Sequence, residues 1–168
     1  MTSLEIILNQ NPKEPMVTKS LILANALSWL NSPYIWGGQS PLIGFDCSGL
    51  VISILQIEGK FIGDTTAQGL YLHFKDRGYV ETGYPEFGCL AFYGKSVNKI
   101  THVAYCLDDG MIIEAAGGDS TTTTVERAKK QNAYVRLRKV RYRKDLVAIL
   151  NERDNVLPFS RITKKEHK

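Results

Sequence analysis

Cysteine is the residue type in this chain with the strongest claim to nucleophilic chemistry. The sequence contains Cys47, Cys89 and Cys106, an odd count without C-x-x-C spacing, which argues against a disulfide framework and a zinc site. Cys47 directly precedes the apolar run 48–55, which periodicity alone assigns to either a helix or a buried strand. The turn residues before this run and its length up to Gly59 favour a helix with Cys47 in its first turn.

The first turn of a helix suits a cysteine nucleophile. Its unpaired N–H groups and the helix dipole favour a thiolate, and the same N–H groups can stabilise an oxyanion on the substrate carbonyl. Taken alone, however, one cysteine before an apolar run is more typical of a buried structural residue. The catalytic interpretation of Cys47 therefore depends on finding a base.

The sequence offers three histidines as the base. His73 lies in a mixed helix followed by charged residues, which favours a surface or packing role, and His167 lies in the C-terminal tail. His102 follows an exposed-looking linker over residues 94–101 and opens an apolar strand. His102 is therefore the candidate that remains after elimination.

Glu114 is the carboxylate within the otherwise apolar run 111–116. The Asp109-Gly110 turn predicts a hairpin that would make His102 and Glu114 near cross-strand neighbours. A carboxylate at that place could fix the orientation of the imidazole, and a buried carboxylate requires a partner. The alternative is that Glu114 occupies the exposed end of its strand.

The hydrophobic pattern divides the chain into an arm (residues 1–16), a domain (17–150) and a basic tail (151–168). Helices are expected where apolar residues recur at helical spacing, the first of them capped by Thr18 or Ser20, over residues 18–30, 47–59 and 67–74. Strands are expected over short apolar or alternating runs at 88–93, 102–107, 111–115 and 135–142. Helices followed by an antiparallel sheet are typical of an α+β fold.

The composition is that of one globular domain. The 168 residues are 43% hydrophobic, which suffices for one core, and no apolar run is long enough to span a bilayer. No basic region precedes a long apolar stretch at the start, so we expect no secretory signal and synthesis in the cytoplasm.

The net charge of +4 comes largely from residues 136–144 and 161–168. These form either a solvated face and tail or a docking surface for an acidic partner or an anionic wall polymer; no nucleic-acid-binding module accompanies them.

Five short segments occur in the order of one known family. They are Tyr34-x-Trp36-Gly37-Gly38, Gly44-Phe45-Asp46-Cys47-Ser48-Gly49-Leu50, Thr65-Thr66-Ala67-Gln68, His102-Val103-Ala104-Tyr105 and Ile113-Glu114-Ala115. Over roughly residues 20–140 the chain resembles the NlpC family of papain-like bacterial cell-wall cysteine peptidases. The resemblance implies a papain-like fold in which N-terminal helices pack on an antiparallel sheet.

The resemblance implies catalytic roles for four residues. Cys47 would be the nucleophile and His102 the general base, and Tyr34 would place its hydroxyl near the thiolate and the developing oxyanion. Glu114 falls where the family carries its third polar residue, which is more often histidine. A glutamate there could orient His102 by a charged hydrogen bond and hold the imidazolium more firmly. No metal or organic cofactor is implied.

The resemblance also implies that the substrate is a peptidoglycan stem peptide. Asp46 and Ser48 would line the pocket for its amino group, and Trp36 and Gly37 are predicted to contribute to substrate binding. Family members typically cleave the amide between D-glutamate and the diamino acid. Cys89 replaces the aspartate of a family segment and is expected to pack in the core, as is Cys106.

Delivery and activity have alternatives at this stage. Single-domain relatives with an N-terminal arm and an ending similar to residues 142–146 look like phage tail-associated peptidases, and an injected antibacterial effector is the rival delivery route. The chain could instead be a tail-tip or adaptor protein of the same fold with weak or lost activity. A third possibility is an acyltransferase or deamidase that uses the same Cys/His pair.

Overall fold

The computed structural model describes residues 18–152, so the predicted arm and almost all of the predicted tail lie outside the described residues. Within this range four α-helices form: α1 (Lys19–Ser28), α2 (Cys47–Ile57), α3 (Ala67–Asp76) and α4 (Val125–Gln131). Each begins after a residue whose side-chain oxygen accepts a hydrogen bond from a backbone N–H of the first turn; these caps are Thr18, Asp46, Thr66 and Thr124. Such caps satisfy N–H groups that the helix itself leaves unpaired, which sets where the helices start.

The strands form a small hairpin and a larger antiparallel sheet. The hairpin pairs β1 (Gln39–Ser40) with β2 (Gly44–Phe45). The six-stranded sheet has the order β3-β8-β4-β5-β6-β7, and its strands are β3 (Val80–Glu81), β4 (Leu90–Ser96), β5 (Lys99–Cys106), β6 (Met111–Ala116), β7 (Tyr134–Lys139) and β8 (Leu146–Asn151). The architecture is α+β, which confirms the predicted fold class.

Helices α2 and α3 pack against the sheet and build the larger core. Its fully buried members include Leu50 and Ile54 from α2, Leu70 from α3 and Val103 from β5. A smaller cluster around Cys89, Tyr93, Cys106 and Ile112 is also buried. The predicted core role of Cys89 and Cys106 is therefore confirmed, because both are 0% exposed.

A close backbone contact holds α2 against the β1–β2 hairpin. A Cβ atom on Gly49 would lie only 2.0 Å from the carbonyl oxygen of Gly38. Glycine at position 49 thus lets the first turn of α2 lie directly on the backbone of the preceding loop. This contact places the first turn of α2, which begins at Cys47, beside the hairpin.

The structure corrects several details of the sequence-based assignment. Residues 94–101 are largely exposed as predicted, but they are not a linker, because β4 continues to Ser96 and β5 begins at Lys99. His102 therefore lies within a strand and does not open one. The pattern also missed α4 and the strand β8, and the strand predicted over residues 135–142 is β7, which ends at Lys139. Within residues 18–152 no helix has the length and hydropathy needed to cross a membrane.

Candidate active site

A cleft with a volume of about 570 Å³ opens at the N-terminus of α2. One wall carries Asp46, Cys47 and Ser48, and the opposite wall carries Thr101 and His102 from β5. The rest of the lining comes from the segment 116–120, which begins at the last residue of β6, and from Tyr34, Trp36, Thr66, Ala67, Ile100 and Arg143. The cleft therefore collects residues that are far apart in the sequence around the thiol of Cys47.

The Asp46 side chain organises the start of α2. Its Oδ1 accepts hydrogen bonds from the backbone N–H of Gly49 at 2.7 Å and from the Ser48 hydroxyl at 3.0 Å. Its Oδ2 accepts from the backbone N–H of Gly37 at 2.8 Å. Asp46 thus caps α2 and ties it to the Trp36-Gly37 loop, which leaves Cys47 half-buried at the first helical position.

His102 and Glu114 form a buried pair beside Cys47. Nε2 of His102 lies 2.6 Å from Oε2 of Glu114, whose side chain is 0% exposed. Tyr105 pairs with Ile113 and Cys106 with Ile112, so His102 and Glu114 are diagonal neighbours across β5 and β6, within reach of long side chains. The exposed-end alternative for Glu114 is therefore wrong.

The electrostatics of this pair favour an imidazolium next to a carboxylate. Burial alone lowers the pKa of His102, but hydrogen bonds and charge from Cys47 and Glu114 raise it to about 9. Burial raises the pKa of Glu114, but the hydrogen bond and charge of His102 outweigh it and hold that pKa below its ordinary value. Because Glu114 occupies Nε2, Nδ1 is the ring nitrogen left for the Cys47 thiol.

The second oxygen of Glu114 faces β7. Nε of Arg138 lies 3.3 Å from Oε1 of Glu114. The nearby Tyr142 hydroxyl and the charge of Arg138 both help to hold the pKa of Glu114 below its ordinary value. The guanidinium of Arg138 also lies over the Tyr142 ring, 4.6 Å from its centroid. From the sequence, the basic residues of this strand were predicted to form a solvated face or a docking surface, with no connection to the site.

Tyr34 lies 4% exposed at the inner end of the cleft. Its ring covers Gly118 so closely that a Cβ there would lie 2.2 Å from Cδ1 of Tyr34. Burial, followed by the neighbouring charges of Cys47 and Asp46, raises the pKa of Tyr34 well above its ordinary value. The phenol therefore stays protonated and can donate a hydrogen bond into the cleft.

The predicted substrate-binding residues differ in their positions. Asp46, Ser48 and Trp36 line the cleft, and Trp36 is 53% exposed there. Gly37 is not among the lining residues; its positive φ of 73° and its N–H directed to Asp46 give it a supporting place in the loop.

Sequence reasoning missed the cleft residues Asp119 and Ser120 and the position of Arg143. Arg143 pairs with Asp145, with Nε 2.7 Å from Oδ1, and its guanidinium lies over Tyr93. The run Gly117-Gly118-Asp119-Ser120, directly after the strand that carries Glu114, was an available signal for a site loop. Nothing in the local sequence around Arg143 indicates its place.

His73 lies outside the cleft. His73 packs edge-on against Phe61 at 4.8 Å between ring centroids, which confirms the packing role predicted for it. His167 lies outside the described residues. Among residues 18–152 no group of three or more histidine, cysteine, aspartate or glutamate side chains is arranged to hold a metal ion.

Comparison with known proteins finds relatives of this domain. The chain is 32% identical over 114 residues to the murein DD-endopeptidase MepH of Escherichia coli K12, covering 66% of this chain and 42% of MepH. It is 35% identical over 100 residues to protein P54 of Enterococcus faecium, covering 59% of this chain and 18% of P54. The chain thus spans less than half the length of these curated relatives.

Solved structures give the same result for the fold. The NlpC/P60 domain of the peptidoglycan hydrolase SagA superposes with a TM-score of 0.57 at 25% identity, covering 81% of this chain and all of that domain. The model of the NlpC/P60 family matches residues 31–142, a segment that contains Cys47, His102 and Glu114. Because that segment makes up two thirds of the sequence, this chain belongs to the NlpC/P60 family.

Proposed function

We propose that this chain is a peptidoglycan endopeptidase that cleaves stem-peptide amide bonds with Cys47 as nucleophile. The observation that carries the proposal is the row formed by the Cys47 thiol, the His102 imidazole and the buried Glu114 carboxylate, with Nε2 and Oε2 2.6 Å apart. Such a row is what a thiol needs to become a nucleophile: a base that accepts its proton and a third group that fixes the base. Relatives named as endopeptidases support the same chemistry.

The proposed reaction has two stages. Proton transfer from Cys47 to His102 gives a thiolate and an imidazolium, and the sulfur attacks the amide carbonyl carbon. The oxyanion is stabilised by the backbone N–H of Cys47 at the helix start and by the Tyr34 hydroxyl. His102 then donates its proton to the leaving amine as the C–N bond breaks. In the second stage His102 takes a proton from a water molecule, whose oxygen attacks the thioester carbonyl carbon. The C–S bond then breaks, His102 returns its proton to the Cys47 sulfur, and the carboxylic acid product loses its proton to solvent.

The cleft favours a substrate with a free amino group on one side. Asp46 and Asp119 place negative charge there, with the Ser48 and Ser120 hydroxyls beside them. Hydrogen bonds from Thr121 hold the pKa of Asp119 below its ordinary value, so its carboxylate is charged at neutral pH. A stem peptide bound by its amino group would present the bond between D-glutamate and the diamino acid to Cys47. This is the cleavage that we propose.

The test is digestion of purified muropeptides followed by mass spectrometry of the products. Wild type is expected to release a shortened stem, and Cys47→Ala to release none. The matched control is Cys89→Ala, which removes a thiol that is 0% exposed and not part of the cleft, and it should keep activity. Full activity in Cys47→Ala would overturn the mechanism. Cleavage at a D-alanyl cross-link would overturn the choice of bond but keep the enzyme class.

Two alternatives are separated by the same material. An adaptor without activity would leave muropeptides intact and show ordinary thiol reactivity at Cys47. An acyltransferase or deamidase would transfer the acyl group to an added amine or release ammonia from protein glutamine in preference to cutting the stem. Delivery by a phage tail or a secretion machine stays a prediction from the resemblance, and co-purification with tail or secretion proteins would test it.

A further inference from the structure

We propose that Arg138 is a positioning residue that shares the Glu114 carboxylate with His102 and so sets the pH range in which the Cys47–His102 pair works. This inference rests on the proposed function, because it assigns a task to a residue behind the proposed catalytic row. The family resemblance implied nothing about this strand.

The geometry leaves Arg138 and Glu114 as each other's partners. Nε of Arg138 and Oε1 of Glu114 are both buried and have no hydrogen-bond partner among residues 18–152, yet they face each other at 3.3 Å. A buried charged atom without any partner is costly, so this contact accounts for both atoms. The other oxygen of Glu114 is committed to His102 at 2.6 Å. The carboxylate therefore bridges the two cations.

Aromatic rings hold the guanidinium in place. Arg138 lies on the edge strand β7, and its side chain is 39% exposed. The ring of Tyr142 lies 4.6 Å from the guanidinium carbon and thereby restricts an otherwise mobile side chain. Tyr142 in turn packs near Tyr93, whose ring is 5.6 Å from that of His102. The edge of the sheet is thus coupled to the imidazole through packed rings and the shared carboxylate.

The chemical consequence follows from the task of His102. A general acid must release its proton to the leaving amine, and an imidazolium held by an unshared buried carboxylate releases it poorly. A cation on the far oxygen draws off part of the carboxylate charge and so favours proton release from His102. The other charged or titratable groups around the pair are Cys47 from α2, Tyr93 from β4, and Tyr142, Arg143 and Asp145 between β7 and β8.

The test measures the rate of Cys47 alkylation by iodoacetamide against pH, with modification at Cys47 verified by peptide mass. Removing a neighbouring cation makes every proton in the cluster harder to remove. In the plot of alkylation rate against pH, the midpoints of Arg138→Met are therefore expected to lie about half a pH unit or more above those of wild type. The shift is modest because the guanidinium is partly screened by solvent. Arg138→Lys keeps the charge and is expected to retain the wild-type midpoints.

Lys139→Met is the matched control. It removes one positive charge from the adjacent position of β7, where the exposed lysine side chain makes no ion pair within the described part of the chain, and its profile should coincide with wild type. If Arg138→Met does not fold, Arg138→Gln makes the same test. Unmoved midpoints in the neutral variants, even with a lower maximal rate, would overturn the inference, as would equal shifts in Arg138→Lys.

Alkylation requires no peptide substrate, so the two proposals can fail separately. A chain that shows these shifts but cleaves no muropeptide would retain the role of Arg138 and lose the proposed function. A chain that cleaves muropeptides with unshifted profiles in the Arg138 variants would retain the function and lose this role.

Discussion

Replacing Glu114 by glutamine isolates the contribution of its charge to the site. The amide is nearly the same size as the carboxylate and can still form a hydrogen bond with His102, so the buried position remains filled. What is lost is the negative charge 2.6 Å from Nε2 of His102 and the ion pair with Arg138. The expected result is an imidazole that loses its proton at lower pH.

The size of the effect follows from the titration of His102. Its pKa of about 9 against an ordinary 6.5 corresponds to roughly 3 kcal/mol in favour of the protonated ring, at about 1.36 kcal/mol per pKa unit. Cys47 and Glu114 share this stabilisation. A neutral hydrogen bond is about half as strong as a charge-assisted one. We therefore expect Glu114→Gln to destabilise the imidazolium by roughly 1–2 kcal/mol, which is about a fivefold to thirtyfold loss in proton affinity.

The assay is NMR titration of the histidine ring protons in wild type and Glu114→Gln. His73 is an internal reference, since burial, followed by the charge of Arg77, lowers its pKa and it lies apart from the cleft. Glu58→Gln is the matched control, because Glu58 is a largely buried carboxylate at the far end of α2 that bonds Tyr105. It should leave the His102 titration in place. An unchanged His102 titration in Glu114→Gln would refute the reasoning.

Two further predictions concern stability. The raised pKa of His102 stabilises the fold below about pH 6.5, and this contribution is lost as the pH rises through about 9. In urea unfolding, the free energy of unfolding of wild type should therefore exceed that of Glu114→Gln at low pH, and this difference should shrink by roughly 1 kcal/mol or more between these pH values. Gly49→Ala forces a Cβ to 2.0 Å from a backbone carbonyl, whereas at Gly69 the nearest atom, at 1.9 Å, is the Thr65 hydroxyl, which can rotate away. Gly49→Ala should lower the free energy of unfolding in urea by about 2 kcal/mol or more. An equal loss in Gly69→Ala would contradict the special role of the backbone contact at Gly49.

The fold was predictable where the signal is local. The α2 helix follows from an N-capping aspartate, a following apolar run and a glycine beyond it, and the β5–β6 hairpin follows from Asp109-Gly110. The failures have local causes as well. Residues 94–101 are polar and contain glycine, so they were assigned to a linker, yet the ladder of backbone hydrogen bonds extends both strands through them.

The sequence by itself indicated the family and pointed to Cys47 and His102 as the proposed nucleophile and base, because Asp46-Cys47-Ser48-Gly49 and the histidine of β5 lie in short motifs with distinctive neighbours. It also indicated Glu114, since a carboxylate within an apolar strand requires a partner. Only the tertiary structure decided what that carboxylate contacts. Arg138 reaches Glu114 because β7 pairs with β6, and Arg143 reaches the cleft from beyond β7. Such contacts depend on strand order and register, which no local pattern encodes, so the charge that balances the site could not be read from its motifs.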